Sequence, residues 1–168
     1  DHVGWNTMWV DGKWVPTFDN ARYLIGETEW NHWSAEDATQ ARGEDIVGDS
    51  VRPVFDAGLV DLVQTDHKIC DEVWLESTPG HTPGHVSVRI SSKGEDALIT
   101  GDCMHHPCQM AIPDMCSNAD SDPDKARETR HALLNKYADG PVLIIGTHFA
   151  SPTAGHIVRD GDAFRLAV

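Results

Sequence analysis

Two rhythms of apolar residues divide the chain. From residue 72 onward the short period dominates. "EVWLEST" (72–78) and "HVSVRIS" (85–91) alternate apolar and polar side chains, which predicts half-buried strands. "ALIT" (97–100) reads as a short buried strand. "PVLIIGTHF" (141–149) is a continuous apolar run, so a strand buried on both faces. "HIVRDGDAFRLAV" (156–168) reads as a hairpin turning at Asp160-Gly161. Between these strands, "SDPDKARETRHALLNKYADG" (121–140) carries the helical period. Ala126, Leu133, Leu134 and Tyr137 share one face, Asp122 caps the start, Pro123 takes the first position and Gly140 stops it.

The first 70 residues are less regular. "WVDGKWVP" (9–16) is hairpin-like. "NARYLIGETEW" (20–30) opens with a strand bounded by Asn20 and Gly26, and Ser34 is placed to cap a helix over 35–41. In 45–63, Ile46, Val47, Val51, Val54, Phe55 and Leu59 fall at helical spacing. Gly58 marks a helix end, and Pro53 kinks or divides the segment. The class is α/β, sheets with helices packed on them. A chain of 168 residues holds one domain with its own core, or a large part of a bigger one.

Composition narrows the function classes. The formal net charge of −14 argues against nucleic acid and anionic membrane as partners, since phosphate binding needs a basic face. No apolar run approaches the roughly 20 residues that span a bilayer. Cys70, Cys103, Cys108 and Cys116 show no C-x-x-C spacing, so they read as free thiols in a reducing, cytoplasmic setting. The ten histidines change the picture most, because several follow glycines at the ends of apolar runs. "EVWLES" leads into Thr78-Pro79-Gly80-His81, "ALIT" into Gly101-Asp102, and "PVLIIG" into Thr147-His148. Each strand delivers one metal-competent side chain just past its C-terminal end, where functional loops collect. Proline restricts such a loop before any ligand arrives, and glycine lets the backbone pass close to it.

"TPGHTPGH" (78–85), "ITGD" (99–102) and "GTHF" (146–149), in this order, resemble the second half of a metallo-β-lactamase-fold hydrolase. That superfamily opens its metal site with H-x-H-x-D-H, and this chain begins "DHVGW", so Asp1-His2 match the last two letters. The resemblance implies an αββα sandwich, represented here by its C-terminal part and N-terminally truncated. It implies a dinuclear centre in the full-length parent, with zinc first and iron, manganese or cobalt as alternatives. His81 would serve one metal, Asp1, His2 and His148 the other, and Asp102 would bridge both. One metal or none is expected in this chain, because the first site keeps only His81 and Asp102.

The stretches "DHVGWNTMWVDGKWVPTFDNARYLIG" and "TGDCMHHP" are most similar to the branch of N-acyl-homoserine lactonases and methyl-parathion-hydrolase-like enzymes. The implied reaction, in the full-length parent, is hydrolysis of an ester or lactone by a metal-bridging hydroxide, and this chain alone is expected to be weakly active or inactive. A glyoxalase II-like thioesterase and a β-lactamase are the rival enzyme readings. A partner-dependent half-domain, incomplete as a catalyst, is the rival from another class. His105 stands where related lactonases often carry a substrate-contacting tyrosine, so it is a candidate proton donor or carbonyl polariser beside Asp102. Trp5, Trp9, Met104 and Phe149 are candidates for the substrate pocket. His85 reads as a brace for its turn, and Cys103 as a small buried hydrophobe. The partner is a small molecule, with self-association expected from uncovered apolar surface.

Overall fold

The computed structural model describes residues 2–35 and 45–168. They gather into two compact units, Asp1–Gln64 and Thr65–Val168.

The first unit opens with a 3-10 turn, Gly4–Asn6, and a hairpin of β1 (Thr7–Val10) and β2 (Lys13–Pro16). Asp11 and Gly12 fill the two-residue loop with φ of 48° and 82°. Two such left-handed residues match the twist of the flanking strands. Trp9 pairs with Trp14 across this hairpin, edge to face, with ring centroids 5.1 Å apart. Trp5 and Trp9 are nonetheless exposed, at 81% and 59%.

The strand expected after Asn20 is β3 (Tyr23–Gly26), and α1 (Glu27–Trp33) follows at once. Glu27 and Glu29 sit in its first turn, where acidic side chains suit the helix dipole. Ser34 closes this helix, its N–H donating to the Trp30 carbonyl. Most of the helix expected over 35–41 lies outside the described residues.

Segment 45–63 divides into three pieces. Asp45 caps α2 (Ile46–Ser50) through the Gly48 N–H, α3 (Arg52–Asp56) carries Pro53 in its first turn, and β4 (Val60–Val63) pairs in parallel with β3. The division expected at Pro53 is present. The helix end expected at Gly58 is present, with Gly58 at φ +71°; Leu59, counted at helical spacing, lies past it, and Val60–Val63 finds a strand to pair with. Trp30 stacks on Phe55 with ring centroids 4.2 Å apart.

The second unit is built on a six-stranded sheet. Its strands are β5 (Val73–Ser77), β6 (Val86–Ser92), β7 (Glu95–Ile99), β8 (Leu143–Ile145), β9 (Ala154–Asp160) and β10 (Ala163–Ala167), in spatial order β10-β9-β8-β7-β6-β5. Every neighbouring pair is antiparallel except β7 and β8. Parallel neighbours need a long crossover, and here it contains α4 (Cys108–Ala111) and α5 (Pro123–Tyr137).

In α5 the Asp122 side chain accepts from the Lys125 N–H at 2.9 Å, as the sequence predicts. The stop differs: Asp139, at φ +59°, takes the left-handed position instead of Gly140. The buried stripe includes Ala126, Leu133, Leu134 and Tyr137, but also Thr129 and Arg130. Leu98, Met104, Met110, Leu134, Ile144 and Ile157 are fully buried and form the heart of the core, joined by Phe149. Each such aliphatic side chain contributes roughly 1.5–3 kcal/mol. All four cysteines are free. No described helix is long and apolar enough to cross a membrane.

Candidate metal centre

Three strand ends of the second unit converge on one carboxylate. After β5 the chain makes a tight turn in which the Gly80 N–H donates to the Thr82 carbonyl at 3.0 Å. A strap from the start of α5 holds this turn. The Ser121 N–H donates to the His81 carbonyl, the Asp122 N–H to the Gly80 carbonyl, and Thr129 Oγ1 to the Pro79 carbonyl. His81 is thereby fixed and is 3% exposed. After β7, the Thr100 N–H continues the parallel ladder to the Ile145 carbonyl. Gly101 then adopts φ +56°, and Asp102 turns inward at 5% exposure. After β8, the Thr147 N–H donates to Thr100 Oγ1 at 3.4 Å, and His148 follows.

The two oxygens of Asp102 serve different partners. Oδ2 lies 3.4 Å from His81 Nε2 and 3.7 Å from His105 Nε2, while Oδ1 lies 3.2 Å from His148 Nε2. The His105 ring sits 5.1 Å from that of His81 and stacks on that of His148 at 5.0 Å. Burial lowers the pKa of His105. Asp102 opposes that shift, and His81 and His148 add to it. His105 is thus favoured as a neutral imidazole, able to offer a lone pair.

Three further residues set this geometry, and none was singled out from the sequence. The Asp120 carboxylate, its side chain 1% exposed, accepts from His81 Nδ1 at 3.0 Å, and its other oxygen accepts from the Ser117 N–H. A proton held on Nδ1 leaves Nε2 with its lone pair facing Asp102. Gln109 accepts the His105 and His106 N–H groups on one oxygen and donates to the Met115 carbonyl, clamping the turn that presents His105. Arg130, fully buried, donates to the carbonyls of Pro113 and Cys103 and ties the same loop to α5. Asp120 and Gln109 carry no local sequence signal, because their partners are set by the fold.

His85 braces its turn, as expected, and also reaches further. Its Nε2 accepts from the Asp102 N–H at 2.9 Å, which puts the ring proton on Nδ1. Nδ1 faces the Thr78 carbonyl and Oγ1, Thr78 Oγ1 bonds Ser87 Oγ, and Ser87 Oγ donates to the Thr100 carbonyl. One chain of hydrogen bonds therefore locks the ends of β5, β6 and β7 around Asp102. Cys103, next along, points into the core. Burial pushes its thiol up to about 12, so it stays protonated and takes no part as a ligand.

His81, Asp102, His105 and His148 are thus brought together. Met104 and Phe149, expected to line a pocket, are instead buried core members. Trp5, Trp9 and the exposed His2 belong to the first unit, and Asp1 lies outside the described residues.

The donor set fits a divalent cation. Ligands bonded at about 2.1 Å around a tetrahedral ion stand roughly 3.4 Å apart, close to the spacings around Asp102. With Nδ1 of His81 engaged by Asp120, a lone pair and a carboxylate oxygen face each other at 3.4 Å, an arrangement that a cation relieves. Loss of an orienting carboxylate typically lowers metal affinity about 10–100-fold. Asp120→Ala is accordingly expected to weaken zinc binding by that factor, and Asp120→Asn, which keeps an acceptor, by less. Competition with a chromophoric chelator measures both; equal affinity in all three proteins would remove Asp120 from the centre.

A sequence model of the metallo-beta-lactamase superfamily matches residues 1–148. Among solved structures, the chain is similar to the hydrolase AbOPH in the beta lactamase superfamily, at 27% identity and a TM-score of 0.80, covering 90% of this chain and 56% of that one. It is similar to AidC, a dizinc quorum-quenching lactonase, at 22% identity and a TM-score of 0.75, with coverage of 90% and 56%. A probable metal-dependent hydrolase from Staphylococcus aureus matches at 17% identity and a TM-score of 0.69, with coverage of 90% and 54%. The two lower identities speak for the fold alone. No curated protein matches. The chain spans a little over half the length of these structures.

Proposed function

The chain belongs to the metallo-beta-lactamase superfamily and has that fold, and from this premise we propose that it serves metal-dependent hydrolysis of an ester or a lactone. The observation that carries the reading is Asp102, a buried carboxylate met by an imidazole on each oxygen, at the C-terminal ends of the strands. His81 and Oδ2 of Asp102 would hold one cation, and His148 with Oδ1 would contribute to a second. Imidazole and carboxylate donors suit zinc first, and iron, manganese or cobalt next. A divalent ion bound there supplies Lewis acidity, polarising an acyl carbonyl and making water acidic enough to attack near neutral pH.

The chain's own residues set the direction of approach. His81 is buried and its Nδ1 is committed to Asp120, so its ring is held in position. The His148 side chain is 35% exposed, so substrate would enter on that side.

The test is to incubate the 168-residue chain with zinc or manganese and offer an aryl ester, an N-acyl homoserine lactone and a penam. Weak ester or lactone turnover that needs added metal is the expected result. Turnover indifferent to metal, or faster on the penam, would overturn the reading.

A further inference from the structure

Away from the metal centre, the second unit holds a cation whose donors are not used. Arg89 lies on β6, cross-strand from Trp74. Its guanidinium carbon stands 5.5 Å from the centroid of the Trp74 ring and 5.1 Å from that of Tyr137, the last residue of α5. Nε is buried without a partner, whereas Nη1 and Nη2 are not buried. Among the described residues no group accepts from any of the three. We propose that the Nη1–Nη2 edge of Arg89 is a binding site for the carboxylate of a small molecule.

Three observations carry it. The fork is held in place yet left unsatisfied. Packing over aromatic faces orders a guanidinium but engages none of its five N–H donors. Tyr137 is itself 5% exposed, so the ring over which Arg89 packs is fixed by the core. A side chain ordered in advance loses little freedom on meeting a ligand. The vacancy is also not for want of acids, since the chain has 27 acidic and 13 basic residues. Glu76, two residues along β5 from Trp74 and so on the same face, is already engaged. Its Oε1 accepts from Lys136 Nζ at 2.8 Å and its Oε2 from the Tyr137 hydroxyl at 2.5 Å. Charge then sets the class of ligand. With Lys136 paired to Glu76, Arg89 is the one uncommitted charge of this group, which matches a monoanion. Two parallel N–H donors suit the two oxygens of a carboxylate. A phosphate dianion would fit the same fork but would meet the Glu76 charge twice over.

The test is an NMR titration of the isotopically labelled 168-residue chain with sodium acetate, inorganic phosphate and sodium chloride at constant ionic strength and neutral pH. Metal binding and hydrolysis play no part in the readout, which is the Arg89 Nε–H and the Trp74 indole N–H. Acetate is expected to move both resonances to saturation, phosphate to bind more weakly and chloride to move neither. Arg89→Lys keeps the charge and loses the fork, and is expected to weaken acetate about tenfold, read on Trp74. Glu76→Gln leaves Arg89 intact, removes one negative charge and releases Lys136. It is expected to tighten acetate about two- to threefold, the Coulomb effect of a charge roughly 8 Å away in water. Absence of saturation, an equal response to chloride, tighter phosphate than acetate, unchanged affinity in Arg89→Lys, or no gain in Glu76→Gln would each overturn the assignment.

Discussion

Asp102→Ala is expected to abolish tight metal binding, lowering affinity by at least about a hundredfold, the upper end of what an outer-sphere change alone produces. No other described side chain addresses three histidines, at 3.2, 3.4 and 3.7 Å. Its removal leaves imidazoles with no anion between them. Asp102→Asn keeps the volume but loses the charge, and is expected to fall nearly as far. The matched control is Cys103→Ala one residue along, whose thiol lies in the core and should leave affinity unchanged. Isothermal titration with zinc measures all three. An Asp102→Ala protein binding within about threefold of its parent, short of the roughly tenfold loss that even an outer-sphere change produces, would end the case for this centre. Any metal-dependent hydrolysis should disappear in the same variant.

The largest expected loss of stability comes from Gly80→Ala. A Cβ there would stand 2.4 Å from the backbone N and Cα of Ala126 and 2.9 Å from its Cβ, at φ +135°. Left-handed backbone strain costs roughly 1–2 kcal/mol and forced overpacking about 1–3 kcal/mol, so a total of about 2–5 kcal/mol is expected. At roughly 2–4 °C per kcal/mol for a chain of this size, the melting temperature should drop by about 5–20 °C. Ala126→Gly should not rescue it, because the overlapping atoms are mostly backbone. Thermal denaturation followed by circular dichroism decides the matter, and a melting temperature within about 2 °C of the parent would mean that the turn and α5 separate at little cost.

What was legible in the sequence was punctuation. Thr78-Pro79-Gly80-His81, Gly101-Asp102 and Gly146-Thr147-His148 stand out because alternating or continuous apolar runs end abruptly on residues with special backbone freedom. The Asp122-Pro123 start of α5 was legible for the same reason. Asp120 and Gln109 were not, since the side chain that orients His81 sits 39 residues further along and Gln109 acts on backbone groups. The strand Val60–Val63 was hidden because its valines continue a helical spacing, and only a partner strand decides between the two. Met104 and Phe149 adjoin ligand candidates in sequence, yet neighbouring residues on a sharp turn point apart, and both turn into the core. A bridging role for Asp102 is only what the resemblance implies; the different partners of its two oxygens needed coordinates.

The parallel pairing of β7 with β8, Ile99 opposite Ile145, sets Asp102 and His148 on adjacent rails of one sheet. Their separation follows from the interstrand spacing of about 4.8 Å and not from the composition of the loops that carry them. The loops that line the approach to this centre are therefore not what holds Asp102 and His148 side by side; the ladder does. On the proposed reading, the residues that would carry the chemistry and those that would set substrate preference therefore lie on different parts of the chain.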